Sequence, residues 1–257
     1  MPAITGRELA GQKTIVLGAT SGIGRAVAVA LADGGADVIV HGRTSRARAE
    51  EVADLVRRAG GRSAVLMADL ADRGAGDALV EDAWSEWGGL DAWLHVAGAD
   101  TLTGSAARDP FDAKLDRLWA VDVVATIRLC RAIGRKMQAQ GHGSILTTGW
   151  DQAEVGMEGD SGELFAATKG AIMAFTRSLA LSLAPSVRVN NIAPGWIQTA
   201  WGETASTPWQ ERVVRETPLA RWGTPADVAA LARFLVSPAA AFLTGQTYRI
   251  NGGVVRS

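Results

Sequence analysis

A single α/β domain spanning residues 1–257, built on a doubly wound parallel sheet of about seven strands, is the architecture this sequence predicts. Three observations predict it. Short β-branched runs alternate with longer amphipathic segments along the whole chain. The runs are almost continuously apolar, the pattern of strands buried on both faces and joined by crossover helices. A glycine-rich turn stands between the first run and the first helix. Right-handed crossovers then put helices on both faces of the sheet.

Taken in order, residues 14–17 read as a strand and 23–32 as a helix. A strand at 37–40 precedes a helix at 46–59, with Val52, Leu55 and Val56 on one face. A strand at 63–67 leads to a helix at 75–87, and a strand at 92–96 to one long helical stretch at 111–138. Strand 144–148, helix 165–183, strand 187–192, helix 225–235 and strand 247–250 complete the chain. No linker, charge block or internal repeat divides it.

Composition narrows the function. The chain is 47% hydrophobic and 21% charged, with 26 Lys plus Arg against 27 Asp plus Glu and a net charge of -1. That balance leaves no electrostatic footprint for nucleic acid or an anionic membrane. Cys130 is the sole cysteine, so an intramolecular disulfide is impossible. His41, His95 and His142 lie far apart in sequence, without zinc-ligand spacing, so no metal is expected. Residues 1–12 carry Arg7 and Glu8 and no apolar core of a secretory signal. No run approaches the roughly 18 apolar residues of a membrane span. The expectation is a cytoplasmic enzyme or small-molecule binder.

The turn after the first strand is Gly18-Ala19-Thr20-Ser21-Gly22-Ile23-Gly24. Glycines there permit a tight turn, close approach of backbone to a pyrophosphate, and tight helix–sheet packing. The following helix start offers free N–H groups and a partial positive charge.

The G-x3-G-x-G spacing resembles that of the short-chain dehydrogenase/reductase family, Rossmann-like dinucleotide-binding proteins, and the resemblance extends along nearly the whole chain. Leu17 stands where the family usually has Thr. Asp69-Leu70 resembles its adenine contact, and His95-Val96-Ala97-Gly98 stands in place of its Asn-Asn-Ala-Gly. Asn190-Asn191-Ile192-Ala193-Pro194-Gly195 resembles the turn beneath the nicotinamide. Ile197 and Thr199 follow it, Thr199 where the family contacts the carboxamide. The blocks 218–225, 243–246 and 251–253 are similar to its C-terminal motifs. The resemblance implies that Gly18, Thr20, Ser21, Gly22, Ile23, Gly24, Asp69, Leu70, Ala97, Gly98, Lys169, Pro194, Gly195, Ile197 and Thr199 hold a nicotinamide dinucleotide. At the end of the second strand, members that use NAD carry an acid. Here Gly42 occupies that position and Arg43 follows, so the expected cofactor is NADP(H), its 2′-phosphate gripped by the guanidinium.

Active members resemble one another in Asn, Ser, Tyr and Lys. The Tyr-x-x-x-Lys pattern maps onto Phe165-Ala166-Ala167-Thr168-Lys169, so the lysine is present and the proton-donating phenol is not. The one tyrosine, Tyr248, lies in the last strand. Trp150 stands at the serine position and Asp122 at that of the asparagine. The loop between Trp150 and Phe165 is about two residues longer than usual in the family. Thr148 or Ser161 is a candidate hydroxyl. Within the loop, Ser161, Gly162 and Glu163 read as helix-start residues, and Asp151 is the acid expected to point into the cleft. Asp122 reads as a partner of Lys169, a water ligand or a plain structural carboxylate. Candidate catalytic residues are therefore Lys169, Asp122, Asp151, Trp150 and Phe165. Trp196, Trp201 and Trp209 fall in the expected substrate lid. They either line an aromatic pocket with Trp150 and Phe165 or pack the lid against the body.

The expected function is that of an NADP(H)-binding oxidoreductase with a degenerate catalytic site and a small, apolar or aromatic substrate. A non-redox isomerase, dehydratase or cyclase on the same fold is an alternative, as is a catalytically silent NADP(H)-binding protein. The resemblance implies a homotetramer with twofold axes. Helices 111–138 and 165–183 are its expected interface, where Ala166, Ala167, Gly170 and Ala171 allow close approach.

Overall fold

The computed structural model describes residues 6–255. Seven strands form one sheet in the order β3-β2-β1-β4-β5-β6-β7, and every pairing is parallel. They are β1 (Lys13–Leu17), β2 (Asp37–Gly42), β3 (Ser63–Met67), β4 (Ala92–His95), β5 (Gly143–Thr148), β6 (Val187–Pro194) and β7 (Thr247–Ile250). The chain winds outward from β1 to β3, then returns to place β4 on the other side of β1. That reversal opens a crevice above the carboxyl ends of β1 and β4, where doubly wound folds bind ligands.

The crossovers are α1 (Gly22–Asp33), α2 (Arg46–Arg58), α3 (Arg73–Glu86), α4 (Phe111–Leu118), α5 (Thr126–Gln140), α6 (Asp160–Leu183) and, after two short helices, α9 (Pro225–Val236). They cover two faces. Val27 and Leu31 of α1, Val52 and Val56 of α2, and Val228 and Leu235 of α9 pack with Val16, Val38 and Val40 of the sheet. Leu79 of α3, Leu129 and Ile133 of α5, and Leu179 and Leu183 of α6 pack with Ile15, Ile39 and Trp93 on the other. In the five inner strands residues of both faces are mostly buried, which is why those runs read as continuously apolar, whereas the edge strands β3 and β7 are half-buried. Asp72 caps α3 through the N–H groups of Gly74 and Ala75. Thr224 and Asp227 close a reciprocal cap on α9, with Pro225 at its first position.

Three regions differ from expectation. The stretch 111–138 is not one helix: a π-helical turn, Trp119–Ala125, separates α4 from α5. The wider turn carries Asp122 and re-aims it, a device that recurs at functional sites. Helix α6 begins at Asp160, five residues before the expected start, after Gly159 in a left-handed conformation (φ 87°). Ser161 and Gly162 are thus inside the helix and cap nothing, and Phe165 lies in its second turn. The lid, read only as a segment, contains α7 (Ala200–Thr204) and α8 (Thr207–Glu216). Its helices are short, and its tryptophans pack on one another with Val213 between them. No helix among the described residues is long and apolar enough to cross a membrane.

Candidate active site

The glycine turn is a cradle that only glycines permit. A Cβ at Gly18 (φ +77°) would meet Ala97 Cα at 2.7 Å, and one at Gly24 would meet the Gly18 carbonyl oxygen at 2.1 Å. Helix α1 opens at Gly22 with its N-cap, Ser21, extended and making no side-chain cap bond. Its first N–H groups therefore face the crevice without a side-chain partner, a ready anion site. Thr199 reaches over this turn: its Cγ2 lies 3.5 Å from where a Gly22 side chain would begin. Thr20 and Ile23 are half-buried beside it.

At the end of β2, a Cβ on Gly42 would sit 2.7 Å from Thr20 Cγ2. The acid used by NAD-dependent members would crowd the turn itself. Arg43 is exposed and has neither hydrogen bond nor ion pair among the described residues. Asp69 is also exposed, its Oδ1 accepting from Ala71 N at 3.0 Å, and Leu70 is buried beneath it. Gly98 is exposed and touches Asp122, whose Oδ1 is 3.0 Å from the Cβ position at 98.

On the other side of the crevice, Pro194 ends β6 and Gly195 donates to the Ile250 carbonyl at 3.1 Å. Asn251 Cβ occupies the space a side chain at 195 would need, at 2.6 Å. Ile197 is buried and bridges to Gly223.

Lys169 Nζ stands 2.6 Å from Asp122 Oδ1. The pair is deep: the carboxylate is 1% exposed and the ammonium side chain 12%. Asp122 Oδ2 accepts from Ala99 N at 2.8 Å. Of the three readings open for Asp122, the geometry selects the partner of Lys169. Two of the three ammonium protons remain without a partner among the described residues.

Phe165, one turn before Lys169, lies edge-to-face with Trp150: ring centroids are 6.3 Å apart and the planes meet at 61°. Both rings are half-buried. The nearby hydroxyls are engaged elsewhere. Thr148 Oγ1 donates to the His95 carbonyl at 3.0 Å, and Thr168 Oγ1 to the Leu164 carbonyl at 2.9 Å. Ser161 is half-buried and unbonded, two helical turns before Lys169. Tyr248 is half-buried in β7.

Asp151 is not open to the cleft. It is entirely buried, with Asn251 Nδ2 donating to its Oδ2 at 3.1 Å and its Oδ1 left without a partner. Burial raises its carboxyl to about 6, although the Asn251 bond and the Arg249 charge pull the other way. Arg249 is paired with Glu154 at 2.5 Å while its buried Nε has no partner.

The lid tryptophans pack on one another rather than extend the Trp150–Phe165 pair. Trp196, Trp201, Trp209 and Trp222 form a cluster with centroids 5.4–6.5 Å apart, filled in by Val213 and Met157. Arg212 lies over the Trp209 ring at 4.8 Å and pairs with Glu158 of the long loop at 3.0 Å. Loop and lid are joined there.

Two residues take clear positions that the sequence does not announce. His41 Nδ1 accepts from Gly18 N at 3.2 Å, so its Nε2 donates to the Ala68 carbonyl at 3.1 Å. It braces the glycine turn against the end of β3. His95 pairs in register with Leu17 and Thr147 and is fully buried with neither ring nitrogen bonded. Burial first, then the His41 and Lys169 charges, pushes it down to about 3, so it is neutral. Both side chains belong to strand ends, where the only available signal is a polar residue closing an apolar run.

A family model described as Enoyl-(Acyl carrier protein) reductase matches residues 18–255. Nodulation protein G of Rhizobium sp. (strain N33) is 34% identical over 96% of this chain and 98% of its own length. The short-chain reductase protein NovJ of Streptomyces niveus is 36% identical over 93% of this chain and 92% of its own. Among solved structures, a 7α-hydroxysteroid dehydrogenase complexed with NADH and 7-oxo glycochenodeoxycholic acid superposes with a TM-score of 0.88 at 30% identity, covering 100% of this chain and 99% of that one. A gluconate 5-dehydrogenase from Burkholderia cenocepacia, in complex with NADP and tartrate, gives 0.87 at 26% identity, covering 98% of each chain. With sheet order, glycine turn and full-length similarity in agreement, this chain belongs to the short-chain dehydrogenase/reductase family.

Proposed function

We propose that the protein is an NADP(H)-dependent oxidoreductase with a degenerate catalytic site, acting on a small apolar or aromatic molecule. The observation that carries this reading is the coexistence of a complete cofactor cradle with an aromatic pair where a proton donor would stand. The cradle fits the dinucleotide: the Gly18 and Gly24 approaches leave backbone, not side chain, at the pyrophosphate position. The unpaired Arg43 supplies the charge for a 2′-phosphate. Asp69 is free to meet the adenine, Lys169 has two protons left for ribose hydroxyls, and Gly195 offers a flat wall. When bound, NADP(H) gives or accepts a hydride at its nicotinamide ring. Around that ring, Trp150 and Phe165 exclude water and orient a flat substrate, and no side-chain hydroxyl of theirs can hold or protonate a carbonyl oxygen. General acid catalysis is worth roughly 10²–10⁴ in rate, so simple carbonyl reduction is disfavoured.

Following the NADPH absorbance band during turnover tests this. Loss of the band with a substrate supports hydride transfer. Product without loss favours the non-redox alternative, for which the Lys169–Asp122 pair is the acid–base candidate, Asp151 being buried away from the cleft. NADPH binding without either outcome favours a silent binding protein.

A cytoplasmic homotetramer is part of the same proposal. Trp119, 45% exposed at the end of α4, and the open space above Gly170 of α6 support helix–helix contacts between copies. A monomer by light scattering at micromolar concentration overturns it.

A further inference from the structure

We infer that the substrate is a cation whose electron-poor carbon needs no proton: an iminium ion held by the Trp150–Phe165 pair. This rests on the hydride-transfer reading above and narrows it. Three observations converge. First, Phe165 and Trp150 place two π faces, in edge-to-face contact at 6.3 Å, on the side of α6 that carries Lys169. Residues four apart on a helix share a face, and an indole face is the best aromatic partner for a cation. Second, the fixed positive charge of the site is cancelled. Asp122 meets Lys169 at 2.6 Å, the carboxylate buried and the lysine half-buried. A lysine without that partner repels a cationic substrate; the ion pair removes the repulsion. An amide at 122 would leave the full charge in place. Third, Thr148 and Thr168, the neighbouring hydroxyls, already donate to backbone carbonyls, so a substrate oxygen would find no donor from them. The first and third features alone suit any apolar electrophile. The second admits a cation, and the aromatic faces of the first then favour it.

The chemistry balances without an acid. The iminium carbon takes the hydride pair from NADPH. The C=N π pair becomes the nitrogen lone pair, the product is a neutral tertiary amine, and the cofactor leaves as NADP⁺. No proton enters, so the absence of a phenol at 165 costs nothing. The amine is formed neutral, without cation–π attraction, and takes up a proton from water only as it leaves the site. The chemical class is a tertiary cyclic iminium, flat enough to lie on an aromatic wall.

The probe is N-methyl dihydroisoquinolinium, permanently charged, set against α-tetralone, a neutral ketone of similar shape. Calorimetric binding to the protein preloaded with tetrahydro-NADPH, a reduced analogue whose ring carries no charge and gives no hydride, should favour the cation by about tenfold or more. Trp150→Leu should reduce that preference several-fold. Asp122→Asn should do the same by freeing the Lys169 charge, and its NADPH affinity checks that the site is still formed. Deuterated NADPH should deliver its label to the iminium carbon, with negligible reduction of the ketone. If NADPH binds but the two probes bind equally, or the ketone or a neutral enone is reduced in preference, the cationic substrate is overturned and the reductase reading survives. If NADPH does not bind at all, both fall.

Discussion

The two sides of the crevice, the β1–β2–β3 side that carries the glycine turn and the β5–α6–lid side that carries the aromatic pair, obey different rules. On the first, the work is done by absence. Gly18, Gly24 and Gly42 remove side chains so that backbone closes on Ala97, on Gly18 itself and on Thr20. Arg43 and Asp69 wait exposed at its rim. On the second, the space is filled. Two rings meet at 150 and 165, four tryptophans pack the lid, and the Lys169 ammonium is neutralised by a buried carboxylate. A site made of backbone has few solutions, since almost any side chain obstructs it. A site made of individual side chains can change its chemistry one residue at a time while the fold and the cofactor cradle stay as they are. That difference teaches which side is free to vary in its chemistry, and it is the side on which the proposed reading places the change.

The most severe way to test the comparison is to rebuild the second side. Reduction of small ketones and aldehydes should be negligible in the protein as it stands, read by NADPH consumption. Phe165→Tyr should give a trace of activity, and adding Trp150→Ser should raise it by about 10²-fold or more. The two should act together rather than additively, because both groups would serve one oxygen. Asp122 moderates the gain, since it weakens the charge that would activate a new phenol. Brisk ketone turnover by the unmodified protein would dissolve the distinction between the two sides; Ser161, the unbonded hydroxyl on α6, would then be the residue to remove.

Acid titration separates the sides by sign. His41 and His95 are buried and pushed down to about 4 and about 3, mainly by loss of solvent. The unfolded chain takes up their protons near pH 6.5 and the folded chain does not, so stability falls on acidification below that value. A tenfold difference in proton affinity between the two states is worth about 1.4 kcal/mol, so His95 alone should account for about 3 kcal/mol between pH 7 and pH 4. His95→Asn should flatten that limb in urea titrations run at both pH values. Asp151 behaves oppositely. Its carboxyl is raised to about 6, so the folded chain holds a proton the unfolded chain has lost. Its contribution is full below about pH 4 and disappears as pH rises through 6. Asp151→Asn should therefore stabilise the protein at pH 8, by at most about 3 kcal/mol, and change little at pH 4. Equal stability changes at both pH values would show that Asp151 is solvated.

The first side is far more legible in the sequence than the second. Glycine motifs read directly, because a backbone that must approach Ala97 or a pyrophosphate leaves one acceptable residue type. The strands read well because burial on both faces leaves an apolar run. The break in helix 111–138 is hidden: Trp119–Ala125 is as apolar and helical in pattern as its neighbours, and a π turn differs only in where it aims Asp122. The start of α6 lies five residues earlier than the pattern suggests. Acids and glycines at 159–163 look like loop, although Asp160 and Glu163 favour a helix N-terminus. Position alone misleads about Asp151. Its burial depends on Asn251, a hundred residues away, and no local pattern reports that contact.

Cofactor choice sharpens the comparison on the first side. Arg43→Ala should weaken NADPH binding about tenfold to a hundredfold, the loss of a charge-assisted contact of roughly 1.5–3 kcal/mol. NADH binding should be unaffected. Adding an acid through Gly42→Asp should not restore NADH preference cleanly, because the new Cβ would press on Thr20 at 2.7 Å and disturb the turn. Calorimetry with both cofactors measures each point. Equal losses for NADPH and NADH would mean that Arg43 serves the loop rather than the 2′-phosphate.

The smallest effect should come from the contact that ties the long loop to the lid. Arg212 bridges Glu158 at 3.0 Å and Glu216 at 2.9 Å while lying over the Trp209 ring. Glu158 is mostly exposed, at 77%, and exposed ion pairs contribute little because water screens them and long side chains lose freedom. Glu158→Gln should thus change substrate KM by less than about fivefold and leave NADPH affinity alone. Arg212→Ala should do more, since it also strips the cation from Trp209 and uncovers the edge of the tryptophan cluster. A red shift of tryptophan emission in the second variant, and not in the first, would locate the lid's cohesion in aromatic packing rather than in charge. Equal red shifts would assign it to the ion pair, and would place the lid beside Lys169–Asp122 among the parts of the second side held by electrostatics.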